Sequence, residues 1–194
     1  NPIYYDLFKD NLIDLDVERI ITMDMGFFSY PYGNQMYTEK LCALFGEPAR
    51  ESESDITQFH MDVATSLQVV TEELMIGLSK RALGSSSHRN LCLAGGVALN
   101  CVGNGKIVKA LDLNGFWVQP AAGDAGGALG ACYNYYYNVL GHPRTAEVSD
   151  SMRGSYLGPR SSKEDIKRLI NTYNAKAEEF VESKLYPTVA KLLA

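Results

Sequence analysis

The sequence predicts an α/β protein with a mixed, largely parallel sheet and flanking helices, and three observations carry that expectation. Two short apolar runs, Leu91 to Ala94 and Phe116 to Gln119, each meet glycines and then a helix-forming segment. Unbroken apolar runs of this kind suit strands buried on both faces of a parallel sheet. Ahead of them, Ile56, Phe59, Val63, Leu67, Val70, Leu74 and Leu78 recur at three- and four-residue steps, the spacing of one long helix. A strand–glycine–helix order puts each helix start just beyond the carboxyl end of its strand, where ligands collect in open α/β sheets.

Taken in order, Asn1 to Leu15 is polar and mixed and reads as an irregular entry with a short helix. Ile20 to Tyr30, rich in β-branched and aromatic residues, predicts a strand ended by Pro31 and Gly33. Tyr37 to Phe45 predicts a short helix closed by Gly46 and Pro48. The long helix is expected to start from a capping-box-like Ser52-Glu53-Ser54-Asp55 and to run to about Ala82, stopping at Gly84. Ser85-Ser86-Ser87 is a loop into the first strand, and a helix is expected from Val97 to Leu111. Tyr133, Tyr135, Tyr136 and Tyr137 end the next helix and read as core and domain-interface packing, with base stacking as the minor alternative.

Composition bounds the function. A chain of 194 residues permits one or two domains with a real core. A net charge of −5 without any basic run argues against nucleic acid as a main partner. No apolar stretch is long enough to span a bilayer, and an amino end carrying Asp6, Lys9 and Asp10 is not a signal peptide, so a cytoplasmic setting is expected. Cys42, Cys92, Cys101 and Cys132 show no Cys-x-x-Cys spacing, and three lie in predicted core elements, so buried free thiols are expected. The three histidines are scattered and offer no helical pair for a metal.

The chemistry is expected at the two glycine bends. Gly95-Gly96 and Gly123 let the chain turn sharply, and the freed N–H groups of the helices beyond them suit an anion. Plain connecting turns are the alternative, because this is not the dinucleotide spacing. Gly123, Gly126, Gly127 and Gly130, interleaved with alanines, leave the second helix start almost without side chains, which suits close packing by a ligand or another helix. Asp124 is the only charge there, read either as a helix cap or as a metal- or phosphate-site carboxylate; taken by itself the cap is favoured. Asn100 is either a ligand-binding amide or a local backbone cap. Asp62, early on the long helix, is either a carboxylate placed to take or orient a proton or an exposed first-turn acid, and His60 reads as a helix-surface histidine.

The run Leu93-Ala94-Gly95-Gly96-Val97-Ala98-Leu99-Asn100, followed by Gln119-Pro120-Ala121-Ala122-Gly123-Asp124-Ala125-Gly126-Gly127-Ala128-Leu129-Gly130-Ala131, resembles the O-carbamoyltransferases of the nodulation and antibiotic-tailoring type. The resemblance covers nearly the whole chain, most clearly Asp55 to Tyr137 and Gly154 to Ala194. It implies an actin-like domain of the sugar kinase/Hsp70 type joined to a YrdC-like domain. It further implies that carbamoyl phosphate and ATP yield carbamoyl adenylate, whose carbamoyl group passes to a hydroxyl on a small-molecule acceptor. In that scheme Gly95, Gly96, Asn100 and Gly123 hold the adenylate. Asp124 binds a divalent, iron-type metal, and Asp62 lies in a segment facing the acceptor.

The resemblance also sets the expected domains. Residues 1–141 correspond to the second half of the actin-like domain, 142–161 to a linker starting near Gly141-His142-Pro143, and 162–194 to the beginning of the YrdC-like domain. Ser162-Lys163-Glu164-Asp165 starts one helix there, and Leu185 to Ala194 another. The family's Gly-Pro-Arg-Ala-Leu-Gly loop and upstream His-x-x-x-His pair are not in this sequence. An internal piece of a longer protein, inactive alone and completed by its missing parts, is therefore expected. Two other classes remain open: a nucleotide-binding kinase or chaperone-like half-domain, and a catalytically silent interaction module.

Overall fold

The computed structural model describes residues 1–14, 21–145, 149–150 and 152–194. The chain divides into two units, Asn1–Thr145 and Ala146–Ala194. The first residue of the strand expected from Ile20, and parts of the expected linker, lie outside the described residues.

The first unit is arranged along one helix. Before it come helix α1 (Tyr5–Asn11), strands β1 (Ile13–Asp14) and β2 (Thr22–Met23), and helix α2 (Glu39–Phe45). β1 and β2 pair antiparallel, with Ile13 opposite Met23. The strand expected to continue to Tyr30 stops at Met23. Asp24 accepts the Gly26 N–H at 2.8 Å, and the chain turns into a 3-10 helix over Met25–Phe27 instead. A side chain that bonds its own backbone two residues on competes with the sheet ladder, and here it wins. α2 ends where Gly46 takes φ +74, a left-handed cap.

Helix α3 (Gln58–Gly84) is 27 residues long, about 40 Å at 1.5 Å per residue. Its start is five residues later than a cap at Ser52 suggests. Thr57 is the cap, and the third helical residue that returns the bond is His60, whose Nδ1 accepts the Thr57 N–H at 3.0 Å. The buried face also differs from the apolar stripe in the sequence. Ile56, Leu67 and Leu78 are exposed, whereas Asp62, Ser66, Val70, Glu72, Met75, Ser79 and Leu83 are buried.

Two apolar clusters sit on this helix. Val70 joins Phe8, Leu12 and Phe27 in one, and Met75 joins Leu91 and Ile107 in the other. The second cluster carries strands β3 (Asn90–Leu93) and β4 (Gly115–Val118), which pair parallel in register, Leu93 opposite Val118. Between them run a 3-10 helix (Gly96–Leu99) and helix α4 (Cys101–Ala110). The expected single helix from Val97 to Leu111 is thus broken at Asn100, whose ψ of 90° is extended.

The strands are not buried on both faces. Leu91 points inward, while Cys92 is exposed and Trp117 is 47% exposed. Among the described residues this sheet has two strands, and its Cys92 and Trp117 side chains are exposed. The same openness corrects the expectation for the thiols: Cys92, Cys101 and Cys132 are exposed and Cys42 is half-buried, all of them free. Beyond β4, helix α5 (Gly126–Tyr133) passes into a π-helical turn (Asn134–Val139). Tyr133, Tyr135 and Tyr136 are exposed there rather than core, and Tyr136 stacks on His142 with ring centroids 4.1 Å apart.

The second unit holds helices α6 (Lys163–Thr172) and α7 (Glu182–Leu193). α6 starts at a capping box in which Ser162 and Asp165 bond reciprocally. α7 begins three residues before the expected Leu185 and runs through Pro187. No described residue of this unit is fully buried.

Candidate nucleotide site at the paired glycine bends

Parallel pairing in register brings the carboxyl ends of β3 and β4 level, so the segments leaving them meet. Gln119 N donates to the Leu93 carbonyl at 3.2 Å, and Gly95 N donates to the Ala122 carbonyl at 2.8 Å. A Cβ built on Gly123 would stand 4.0 Å from the Gly96 Cα. The two bends are therefore neighbours, stitched by backbone hydrogen bonds. Gly95 has φ +99, a conformation that side-chain-bearing residues rarely adopt.

The glycines divide into two kinds. A Cβ on Gly126 would lie 2.0 Å from the Ala121 carbonyl oxygen, so the bend itself demands glycine there. Cβ atoms on Gly95, Gly96, Gly127 and Gly130 would meet nothing within 4 Å. At those four positions no neighbouring atom of the chain requires the missing side chain. What they leave is bare backbone facing open space beside the start of α5.

Asp124 is exposed, and its carboxylate has no hydrogen bond or ion pair among the described residues. It does not cap α5: the cap position falls on Ala125, with no side chain accepting from the helix. The structural role left for its charge is its place two residues before α5, where the helix dipole favours a carboxylate. Among the described residues no group of three His, Cys, Asp or Glu is placed to hold a metal, so Asp124 supplies at most one ligand of such a set.

Asn100 is engaged by the protein. Its Oδ1 accepts the Gly103 N–H at 3.0 Å, which makes it the α4 cap, and its Nδ2 donates to Gln68 Oε1 at 2.8 Å. Gln68 Nε2 donates back to Asn100 Oδ1 at 3.2 Å and to Glu72 Oε1 at 2.9 Å. Glu72 is 5% exposed and also receives Lys106 from α4. Burial alone would raise the Glu72 pKa. The hydrogen bonds from Lys106 and Gln68, with the Lys106 charge, outweigh it and hold the carboxyl below its ordinary value. Beside this network Asn104 donates from Nδ2 to the Ala98 carbonyl at 2.7 Å, while its buried Oδ1 has no partner among the described residues.

Asp62 is not an exposed first-turn acid. It is buried, and Oδ1 accepts from the Asn1 nitrogen at 2.7 Å and from Gln58 Nε2 at 2.9 Å. Its neighbours belong to the α1 end of the molecule, where Tyr4 N donates to Ser66 Oγ.

Sequence reasoning passed over Gln68, Glu72, Asn104 and Lys106. The available signal was a pair of long polar side chains, Gln68 and Glu72, four residues apart on either side of Val70.

A family model described as Carbamoyltransferase N-terminus matches residues 5–133. The chain belongs to that family. The carbamoyltransferase match includes both bends and all of α3. Relatives include the uncharacterised protein sll1178 of Synechocystis sp., 42% identical over 195 residues, covering 100% of this chain and 32% of the relative. Nodulation protein NolO of Bradyrhizobium diazoefficiens is 39% identical over 109 residues, covering 56% of this chain and 20% of the relative. Nodulation protein NolNO of Sinorhizobium fredii is 40% identical over 103 residues, covering 53% and 15% respectively. The chain thus spans about a third or less of the length of these relatives.

Proposed function

We propose that this chain is the part of a longer carbamoyltransferase that grips carbamoyl adenylate at its paired glycine bends. The adenylate would form from carbamoyl phosphate and ATP, and its carbamoyl group would pass to a hydroxyl on a small-molecule acceptor. The observation that carries the reading is the stitched pair of bends, with four glycines whose missing Cβ atoms leave room that no other part of the described chain fills. Gly126 N and Gly127 N at the start of α5 are taken by the Gly123 and Asp124 carbonyls at 3.0 and 3.1 Å, so the amides offered to the adenylate phosphate are those just ahead of them and those opening the 3-10 helix, where a helix start favours an anion. Donors aimed where negative charge develops lower the barrier to acyl transfer.

In this reading Asp124 contributes one carboxylate to a divalent, iron-type metal whose remaining ligands come from other parts of the protein. Its exposed carboxylate, without a hydrogen bond or ion pair among the described residues, is open to that part. The metal, when bound, supplies a Lewis acid. Asn100 acts through the backbone it caps, and Asp62 orients the acceptor side through the α1 end of α3. The fold assignment that goes with the reading is an actin-like domain for the first unit and the start of a YrdC-like domain for the second.

The test uses the complete protein. Carbamoyl phosphate together with ATP should release pyrophosphate in a reaction that depends on both. Asp124→Asn should lose metal retention and carbamoyl transfer while folding normally. Release of pyrophosphate that ignores carbamoyl phosphate would point to a nucleotide hydrolase instead, and unchanged metal content in the variant would remove Asp124 from the ligand set.

A further inference from the structure

The first bend hangs from α3 by a side-chain network that crosses between elements. Glu72, nearly buried on α3, accepts from Lys106 of α4 and from Gln68 on its own helix. Gln68 and Asn100 then exchange two hydrogen bonds, 2.8 and 3.2 Å, across 32 positions of sequence. Asn100 passes the constraint on in both directions. Its side chain caps α4 through Gly103 N, and its backbone carbonyl accepts the Asn104 N–H at 2.9 Å. Asn104 in turn clamps the Ala98 carbonyl of the 3-10 helix that begins at Gly96. Amides in reciprocal pairs fix each other's orientation, and a buried carboxylate at one end fixes which way the whole series runs, because it can only accept.

We propose that Gln68 is a positioning residue for the first bend: through Asn100 it sets the break between the 3-10 helix and α4, and so the placement of Gly95 and Gly96. The inference rests on the adenylate reading for its effect on ligand, but not for its effect on the bend. Without the Gln68 amide, Glu72 keeps Lys106, while Asn100 keeps only its Gly103 cap and the break loses its hydrogen bonds to α3. An exposed cap of the same kind would be replaced by water at small cost. Here both partners are half-buried against α3, where a lost hydrogen bond is not made up by solvent.

The experiment compares wild type, Gln68→Met, Gln68→Glu and the exchanged pair Gln68→Glu/Glu72→Gln in the complete protein, by amide hydrogen exchange and by ATP titration. Gln68→Met keeps the length and removes every hydrogen bond. It should speed exchange over Gly96–Gly103 on the order of tenfold and leave Gly115–Val118 unchanged, with ATP affinity falling by a similar factor. Gln68→Glu should do the same, since it sets two carboxylates together. The exchanged pair restores one amide donating to one carboxylate, with Asn100 still donating to position 68. It should return to within about threefold of wild type.

Exchange that is unchanged in Gln68→Met, or raised equally in β4, overturns the proposal, as does an exchanged pair no better than Gln68→Glu alone. Should the wild-type protein bind no ATP while the localised exchange pattern and its rescue appear, the adenylate reading fails and the positioning role stands.

Discussion

The Gly95 N–H donates to the Ala122 carbonyl oxygen at 2.8 Å, joining the residue that opens the first bend to one inside the second. Because β3 and β4 are parallel and level, this bond and the one from Gln119 N to the Leu93 carbonyl close the gap between two strand ends that a connection of more than twenty residues separates. It also turns two local glycine motifs into one surface.

Gly126 is expected to tolerate no side chain. A methyl group there would meet the Ala121 carbonyl oxygen at 2.0 Å, backbone against backbone, with no flexible neighbour to yield. Gly126→Ala should cost about 3 kcal/mol in chemical denaturation, and an unchanged midpoint would show that the second bend relaxes freely.

Gly127 and Gly130 should behave in the opposite way. Their added Cβ atoms meet nothing, and both sit in α5, so alanine should stabilise the fold by up to about 1 kcal/mol each. The same variants of the complete protein should bind ATP more weakly, because the methyl groups fill space assigned to ligand. Stabilised variants with wild-type affinity would move the ligand off this face.

Lys106→Met should destabilise through Glu72. The carboxylate is buried and the lysine half-exposed, so the loss is expected at about 1–3 kcal/mol, below that of a fully buried pair. The pH dependence follows from the lowered Glu72 pKa. A carboxyl held lower in the folded than in the unfolded chain stabilises above its unfolded value and loses that contribution as pH falls through the folded one. Wild type should therefore lose stability on acidification below the ordinary 4.5 of a glutamate, and Lys106→Met should show a shallower acid limb. Identical limbs in stability curves would place the proton uptake elsewhere.

Ile107 and Val70 test the two apolar clusters separately. Both are fully buried. Ile107→Ala should cost about 2–5 kcal/mol and Val70→Ala somewhat less, since fewer methyl groups are lost. Hydrogen exchange should show Ile107→Ala loosening β3 and α4 first, and Val70→Ala loosening α1.

Much of the frame around the bends was readable in the chain. Apolar runs that meet glycines became parallel strands, and the Ile56-to-Leu78 periodicity became one helix ending at Gly84, with Ile56 ahead of its start. What escaped was set by side chains bonding to backbone or by partners far along the chain. His60 completes a capping box that sequence patterns assign to Glu or Gln, so the start was placed at Ser52. Asp24 diverts a segment whose composition favours a strand. Leu67 and Leu78 are exposed while Ser66 and Ser79 are buried, because each serine hydroxyl donates to the carbonyl four residues back and needs nothing else. The candidate site was legible as glycines, but not as geometry. That Asp124 caps nothing depends on where α5 begins, and that Asn100 is held by Gln68 depends on packing between helices 32 residues apart.

Since Val70 and Met75 lie on one unbroken helix yet serve different clusters, the spacing between them behaves like the phase between two gears on one shaft. A residue inserted there would rotate everything downstream by about 100° relative to what precedes it. Substitutions along α3 can therefore be absorbed singly, whereas changes in its length cannot, and the amino-terminal elements hold the bends in orientation without touching them.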